Sequence, residues 1–170
     1  MNPHGRTSTG TLLQDQNITF ASTTPPDQKA AATVETIARA CYQSLNDRKF
    51  DVVDYPWTPH ISPSFEMSNA QAMRLTTTSR AAMLENFKAI AAEHPNCHIE
   101  VESCSTVLHK YGKELKADVY VNTRGGAGPV YEEGLVRKTV TIFEFWLVEG
   151  VWVGYKGTAI DGMGEDRSFN

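Results

Sequence analysis

Residues 138–162 constrain the fold of this chain more than any other segment. They form two long runs of β-branched and aromatic residues, joined at Glu149 and Gly150. Such runs around an acidic residue and a glycine predict a β-hairpin, because these side chains favour extended backbone and glycine favours the turn. The hairpin follows two helical patterns and earlier strand patterns. This order predicts a curved sheet wrapped around helices, a shape that suits a small molecule.

The size and charge of the chain limit its partners. Its 170 residues fit a single domain with one core. A formal net charge of -4 offers no basic surface for nucleic acid. The three cysteines form no CxxC pair, and the sequence has neither a secretory pattern nor an apolar run that could span a membrane. We therefore expect a cytoplasmic protein with reduced thiols that binds neither nucleic acid nor membrane.

The composition divides the chain into a tail and one domain. Residues 1–26 are rich in small polar side chains and end in two prolines, so they are predicted to be a disordered tail. Residues 27–164 are predicted to form a single α+β domain, and residues 165–170 a C-terminal tail.

Two amphipathic helices are predicted in the first half of the domain. Asp27 can cap the first helix, and Ser79 can cap a second helix that ends before Pro95. The first helix carries one continuous apolar stripe, which indicates that it packs on a broad surface such as a sheet. The stripe consists of Val34, Ile37, Ala38, Cys41, Tyr42 and Leu45.

Strand patterns occupy most of the remaining domain. Residues 64–68 alternate polar and apolar side chains, so Phe65 and Met67 are predicted to face the interior. From residue 97 onward, the pattern predicts strands at 97–108 and 115–123, followed by a glycine-rich connection and the hairpin.

The order of these elements resembles the nuclear transport factor 2-like superfamily, and within it the SnoaL-like polyketide cyclases, limonene epoxide hydrolases and scytalone dehydratase. The resemblance spans about residues 27–162, and its most specific part is the hairpin segment 142–152. It implies an α+β fold with a cone-shaped curved antiparallel β-sheet wrapped around N-terminal helices, the SnoaL-like cystatin-like roll. It also implies a pocket on one strand face and a homodimer through the outer sheet face.

The strand at 115–123 carries the main candidates for catalysis. Alternation places Lys116, Asp118 and Tyr120 on one face. The resembling strand of the epoxide-hydrolase branch also has a basic residue two positions before an aspartate, which keeps the carboxylate ionised for acid/base work. The alternative is a solvated strand face. A shift of one residue would put Ala117 and Val119 on the pocket face instead.

The closing hairpin contributes a possible hydrogen-bond donor. Tyr155 lies two residues before Gly157, where the epoxide-hydrolase branch has its second aspartate. This departure counts against epoxide hydrolysis. A tyrosine in an apolar pocket can donate to a carbonyl or an oxyanion, and the alternative is ordinary packing.

The resemblance assigns one face of the strand at 138–148 to the pocket. That face carries Thr139, Thr141 and Phe143, whereas Glu144 and Trp146 point to the outer surface. Either Lys116 or Arg137 is predicted to hold Asp118 ionised. The predicted substrate-binding residues are Tyr42, Phe65, Met67, Lys116, Arg137, Thr141 and Phe143.

His98 supports a second interpretation. It opens the first long strand, and the scytalone dehydratase branch has a histidine in a similar place, so it could act as a base near neutral pH. The alternative is a polar, solvent-facing edge that also includes Glu100 and Glu102. No metal-ligand or phosphate-loop pattern is present, so no cofactor is expected.

The sequence thus favours a cofactor-independent isomerase or cyclase that rearranges or closes a hydrophobic natural-product intermediate, such as a polyketide, terpenoid or indole alkaloid, in secondary metabolism. Its predicted catalytic residues are Asp118, Tyr120, Tyr155 and His98. The alternatives are a dehydratase or epoxide hydrolase, and a non-catalytic binding or dimerisation module.

Overall fold

A computed structural model describes residues 25–69, 76–125, 135–136, 138–162 and 165–166. The helices in these ranges are α1 (Pro25–Asn46), α2 (Trp57–His60) and α3 (Arg80–Glu93). The strands are β1 (Ile61–Asn69), β2 (Ile99–Tyr111), β3 (Glu114–Gly125), β4 (Leu135–Val136), β5 (Lys138–Val148), β6 (Val151–Asp161) and β7 (Glu165–Asp166). Most of the predicted N-terminal tail and Arg137 lie outside the described residues, and β7 lies within the predicted C-terminal tail.

The main sheet has the strand order β1-β6-β5-β3-β2. The predicted hairpin between β5 and β6 is present, and Glu149 and Gly150 form its turn with φ of 49° and 82°. Both angles lie in the left-handed region that two-residue hairpin turns require. Strands β4 and β7 pair separately.

The predicted curved antiparallel sheet is present, and it includes one parallel pair of strands. Strand β1 pairs in parallel with β6, whereas the other neighbours are antiparallel. A hairpin forces two strands to be antiparallel, but β1 is separated from β6 by a helix and several strands, so no turn sets its direction. Irregularities between Val101 and Ser103 and between Glu144 and Phe145 bend the sheet.

Helix α1 lies along one face of this sheet, which we call the inner face. Its predicted apolar stripe is buried, with Val34 and Ala38 fully enclosed. Polar contacts fix its direction: Thr106 Oγ1 donates to Glu35 Oε1 at 3.0 Å, and the Asn46 side chain bonds both backbone groups of Ile99 at 2.8 and 2.9 Å. Helix α1 therefore ends where β2 begins.

The inner face is apolar and its opposite, the outer face, carries the charges. Burial alternates from residue to residue through the middle of β3 and β5. The buried inner-face residues of these two strands are Ala117, Val119, Val121, Thr123, Thr141, Phe143 and Phe145. The core is completed by residues such as Trp57, Phe65, Leu84 and Trp152.

Gly157 is required by this core. A Cβ atom at that position would lie 2.6 Å from Met67 Sδ and 3.0 Å from Phe65 Cζ. The position that resembles the second aspartate of the epoxide-hydrolase branch therefore has no free space for a side chain, because the side chains of β1 fill it. Close packing of the core thus explains why position 157 carries glycine rather than an aspartate.

Candidate functional site

The two ends of the inner face differ in character. Near the turn between β5 and β6 it carries Phe145 and Trp152, which are 0% and 5% exposed. At the opposite end, β1, β3 and β6 finish and β5 begins; we call this the open end. The inner face there carries the smaller side chains of Thr123, Thr139, Thr141 and Ala159. Large aromatic rings fill one end, and hydroxyl groups line the other.

A buried pair of hydroxyl groups lies between α1 and the open end. Tyr42 donates from its phenol to Thr141 Oγ1 at 2.8 Å, and these residues are only 7% and 2% exposed. The Tyr42 ring packs edge-on against Phe143 at 6.1 Å between centroids. Two hydroxyl groups that share one hydrogen bond retain one O–H for a further acceptor. The hydroxyl pair can therefore donate to a ligand oxygen inside an apolar wall.

The protonation of Tyr42 suits a donor. Burial raises the pKa of its phenol strongly, the hydrogen bond to Thr141 lowers it, and the nearby Cys41 and Cys104 raise it further. The net effect is a pKa well above the usual value, so the phenol keeps its proton at neutral pH. Tyr42 therefore donates its O–H to Thr141 and cannot serve as a base, and the O–H of Thr141 is the one that remains for a carbonyl.

Sequence reasoning missed an inner-face carboxylate at the open end. Asp161 lies opposite Thr139 in the sheet and accepts a hydrogen bond from Thr139 Oγ1 at 3.2 Å. Thr123 Oγ1 donates to the Thr139 carbonyl, also at 3.2 Å. The alternation of buried Gly157 and Ala159 along β6 was the signal that could have placed Asp161 on this face.

A pocket of about 330 Å³ lies at the open end, on the side of the outer face. Four of its lining residues pair with one another across the sheet on that face: Ser103, Asn122, Val140 and Ile160. Strands β2, β3, β5 and β6 all contribute to it, and Asp161 is one of its lining residues. The others are Glu102, Ser103, Asn122, Thr123, Lys138, Thr139, Val140, Ile160 and Gly162. A small molecule therefore has access to the outer side of this end of the sheet.

The outer face carries a row of charges across four strands, which we call the charge row. Lys116 Nζ lies 3.0 Å from Asp118 Oδ1 and 2.9 Å from Glu144 Oε2. His109 Nε2 lies 2.9 Å from Asp118 Oδ2, and Lys156 Nζ lies 3.7 Å from Glu144 Oε1. Neighbouring groups along the row can thus alternate in sign.

The expectation that Asp118 and Phe143 line one pocket is wrong. Asp118 pairs with Glu144 across β3 and β5, whereas Val119 pairs with Phe143. Directly paired residues share a face, so Asp118 lies on the outer face and Val119 takes the inner position. Tyr120 shares the face of Asp118.

The predicted site residues therefore divide between two faces. Tyr42, Phe65, Met67, Thr141 and Phe143 lie on the inner side. Lys116, Asp118, Tyr120 and Tyr155 lie on the outer side, where Tyr155 is 38% exposed next to the irregularity in β6.

His98 and Arg137 belong to neither group. The side chain of His98 is exposed just before β2, at the open end. Arg137 lies outside the described residues.

Lys116 makes stability depend on pH. Desolvation lowers the pKa of its ammonium, but hydrogen bonds to Glu144 and Asp118 raise it by more, so the pKa exceeds its usual 10.5. A raised folded-state pKa adds stability that is complete below pH 10.5 and is lost as pH rises through the folded-state value.

We expect the stability difference between wild type and Lys116→Met, measured by urea unfolding, to shrink above pH 10.5. Lys88→Met, at an exposed surface pair, is the control. A Lys116→Met difference that is the same at every pH would contradict this.

The described residues hold no group of three or more histidine, cysteine, aspartate or glutamate side chains arranged to bind a metal ion. Cys41 is fully buried in the core, and burial raises the pKa of its thiol to about 12. It is therefore an apolar core residue rather than a nucleophile. No helix in the described part of the chain has the length and apolarity needed to cross a membrane.

Comparisons with solved structures identify the fold. A protein with a cystatin-like fold from Caulobacter vibrioides is 13% identical, with a TM-score of 0.57, over 78% of this chain and 89% of that one. An NTF2-like protein of unknown function from Pseudomonas putida is 14% identical, with a TM-score of 0.54, over 78% and 87%. The hexachlorocyclohexane dehydrochlorinase LinA-type3 from Novosphingobium barchaimii is 12% identical, with a TM-score of 0.58, over 84% and 92%.

No protein-family model and no curated protein matches the chain. At these identities the structural likeness shows the fold alone. The chain has the cystatin-like fold of the nuclear transport factor 2-like proteins, an α+β architecture with a curved, open sheet.

Proposed function

We propose that this protein is a cofactor-independent isomerase or cyclase that acts on a hydrophobic ketone within its inner face. The observation that carries the proposal is the buried hydroxyl pair of Tyr42 and Thr141, set in an apolar wall at the open end. Few groups in this wall can form hydrogen bonds with a ligand, so a bound carbonyl oxygen would be directed to this pair.

The hydroxyl pair would bind the substrate and stabilise negative charge. A carbonyl oxygen that accepts its free O–H becomes polarised, and the charge that develops when a neighbouring carbon loses a proton is held by the same hydrogen bond. Phe65, Met67 and Phe143 form the adjacent apolar wall, and they exclude water from the hydrogen bond. Hydrogen bonds are stronger in such a low-dielectric setting.

Asp118 cannot supply the proton transfer for a molecule held in this way, because the sheet itself separates Asp118 from the hydroxyl pair. The charge row remains a candidate for a different role on the outer face.

A second candidate is elimination, as in a dehydratase. The fold is shared with a dehydrochlorinase. The same polarised carbonyl would also acidify the C–H bond that an elimination breaks. The substrate decides between these outcomes, since an elimination requires a leaving group beside the carbon that loses its proton.

Replacing Tyr42 with phenylalanine tests the hydroxyl pair. We expect Tyr42→Phe to weaken binding of β-tetralone, an aromatic ketone, by about 3- to 10-fold, which corresponds to one hydrogen bond. Binding of tetralin, which has the same rings without the carbonyl, should not change. Tyr111→Phe removes a hydroxyl from an exposed tyrosine and is the matched control. Calorimetry or ligand-observed NMR gives both affinities.

Equal affinity of wild type and Tyr42→Phe for β-tetralone would reject this role for the hydroxyl pair. Equal binding of β-tetralone and tetralin by the wild type would reject it as well, because the carbonyl would then make no contribution.

We also propose that a second copy of this chain covers the outer face. The charge row there alternates in sign, so a two-fold copy can set positive groups against negative ones. Large apolar side chains surround the row: Val107, Tyr155 and Ile160 are 47%, 38% and 40% exposed, and Trp146 packs beside Tyr111. Exposed apolar groups around charges that can pair with a copy support a homodimer.

A further inference from the structure

We infer that the pocket on the outer side of the open end binds a small carboxylic acid with an apolar chain, and that Arg124 and Lys138 hold its carboxylate. This pocket lies on the opposite face of the sheet from the hydroxyl pair. The molecule thus has a second ligand site, which is independent of the ketone site on the inner face.

Arg124 is a half-buried cation that lacks a counter-ion. Its guanidinium Nε is buried without a hydrogen-bond partner, and Arg124 forms no ion pair with any residue that the structure describes. Glu100 lies opposite it in β2, but the Glu100 side chain is exposed to solvent and does not bond the guanidinium. Removing a charge from water without a partner costs free energy, so this position favours an anionic ligand.

Arg124 flanks the pocket on the outer face. It lies two residues beyond Asn122 in β3 and directly opposite Lys138 in β5, and both of these neighbours line the pocket. Directly opposite residues have Cβ atoms about 5 Å apart, so the two cations can bind the oxygens of one carboxylate. Asn122 Nδ2 donates to Ser103 Oγ at 2.8 Å, which leaves its second N–H for the same ligand.

The part of the pocket nearer the middle of the sheet suits an apolar chain. Val140 and Ile160 lie opposite each other there, and Val140 is two residues from Lys138 on the same face, a spacing of roughly 7 Å. An acid whose carboxylate meets Lys138 therefore places its chain on Val140 and Ile160. The volume of about 330 Å³ lies within the range of small-molecule sites.

The acidic side chains of the lining limit the ligand to one negative charge. Glu102 and Asp161 both line the pocket. A second carboxylate on the ligand would either approach these groups or lose its water against Val140 and Ile160, and each of these costs free energy. We therefore expect monocarboxylates to bind in preference to dicarboxylates.

The pocket is separate from the charge row. Asn122 lies four residues along β3 from Asp118, a distance of roughly 13 Å. Ile160 borders both the pocket and the surface proposed for the dimer, whereas Lys138 and Arg124 lie farther toward the open end.

Binding of hexanoate tests this site, with hexanamide as a neutral analogue of the same length. Nitrogen-15 NMR of the Asn122 side-chain amide reports binding at the pocket itself, and its signals are identified by their loss in Asn122→Ala. We expect hexanoate to shift these signals and to bind at least about 10-fold more tightly than hexanamide, because hydrogen bonds to charged groups are stronger. Adipate, which adds a second carboxylate, should bind at least about 5-fold more weakly than hexanoate.

Arg124→Gln should weaken hexanoate binding by at least about 10-fold and leave hexanamide binding unchanged. Arg39→Gln removes the same charge from an exposed position on α1 and is the matched control. Tyr42→Phe should bind hexanoate as wild type does, because the hydroxyl pair is on the other face. Circular dichroism verifies the fold of each variant.

Equal affinity of wild type for hexanoate and hexanamide would overturn the inference, because the carboxylate would then make no contribution. Hexanoate that leaves the Asn122 side-chain signals in place would overturn it as well, and so would an equal loss of affinity in Arg124→Gln and Arg39→Gln. Tighter binding of adipate than of hexanoate would reject the limit to one negative charge. These outcomes leave the hydroxyl pair standing, since the comparison of β-tetralone with tetralin tests that site separately.

Discussion

Replacement of Val119 with aspartate is expected to destabilise the protein by at least about 3 kcal/mol, because it buries a charge without a partner. Val119 is 0% exposed on the inner face and pairs with Phe143 and Thr106, neither of which is charged. Its neighbour Asp118 already carries a carboxylate, but on the outer face. The substitution thus tests which side of β3 faces the core.

Val148→Asp is the matched control, since the same exchange is made in a neighbouring strand at a residue that is 42% exposed. We expect it to change the free energy of unfolding by no more than about 0.5 kcal/mol. Urea unfolding followed by tryptophan fluorescence measures both. Similar stabilities of Val119→Asp and Val148→Asp would show that the assignment of the inner face is wrong.

Trp146→Arg is expected to raise the dissociation constant of the proposed dimer by at least about 30-fold, as for a typical aromatic hot spot. Trp146 lies on the outer face opposite Lys116, so arginine there removes an aromatic anchor and places like charges side by side. Sedimentation velocity over a range of concentrations gives the dissociation constant, and circular dichroism verifies the fold.

Val53→Arg is the control for this substitution, because Val53 is 73% exposed in the loop before α2. It adds the same positive charge away from the sheet and should leave the dimer unchanged. A wild-type protein that stays monomeric at high concentration, or a Trp146→Arg variant with the wild-type dissociation constant, would contradict the proposed interface.

The local elements of this fold could be predicted from the sequence because their signals are local. The apolar stripe of α1 and the Ser79 cap of α3 each depend on residues a few positions apart, as does the turn at Glu149 and Gly150. The parallel direction of β1 could not be predicted in this way, because it depends on contacts with a strand far along the chain.

The facing of β3 shows where a resemblance misled the interpretation. The simple pattern of Ala117, Val119 and Val121 places the apolar residues in the core, and the structure agrees with it. The epoxide-hydrolase comparison assigned Lys116 and Asp118 to the pocket instead. The register of β3 with β5 shows that Asp118 lies on the outer face, because it pairs with the outward Glu144. The face of Asp161 could have been predicted from the alternation along β6, but its hydrogen bond from Thr139 depends on the pairing of β6 with β5, which one strand alone does not reveal.

The central claim is that Tyr42 and Thr141 hold the carbonyl of a bound ketone. Carbon-13 NMR of β-tetralone labelled at its carbonyl carbon tests this most directly, because a hydrogen bond to the oxygen moves that resonance to higher frequency. We expect the bound ligand to show this shift with wild type and to lose most of it with Tyr42→Phe, while Tyr111→Phe preserves it. The same carbonyl frequency with wild type and Tyr42→Phe would contradict the claim.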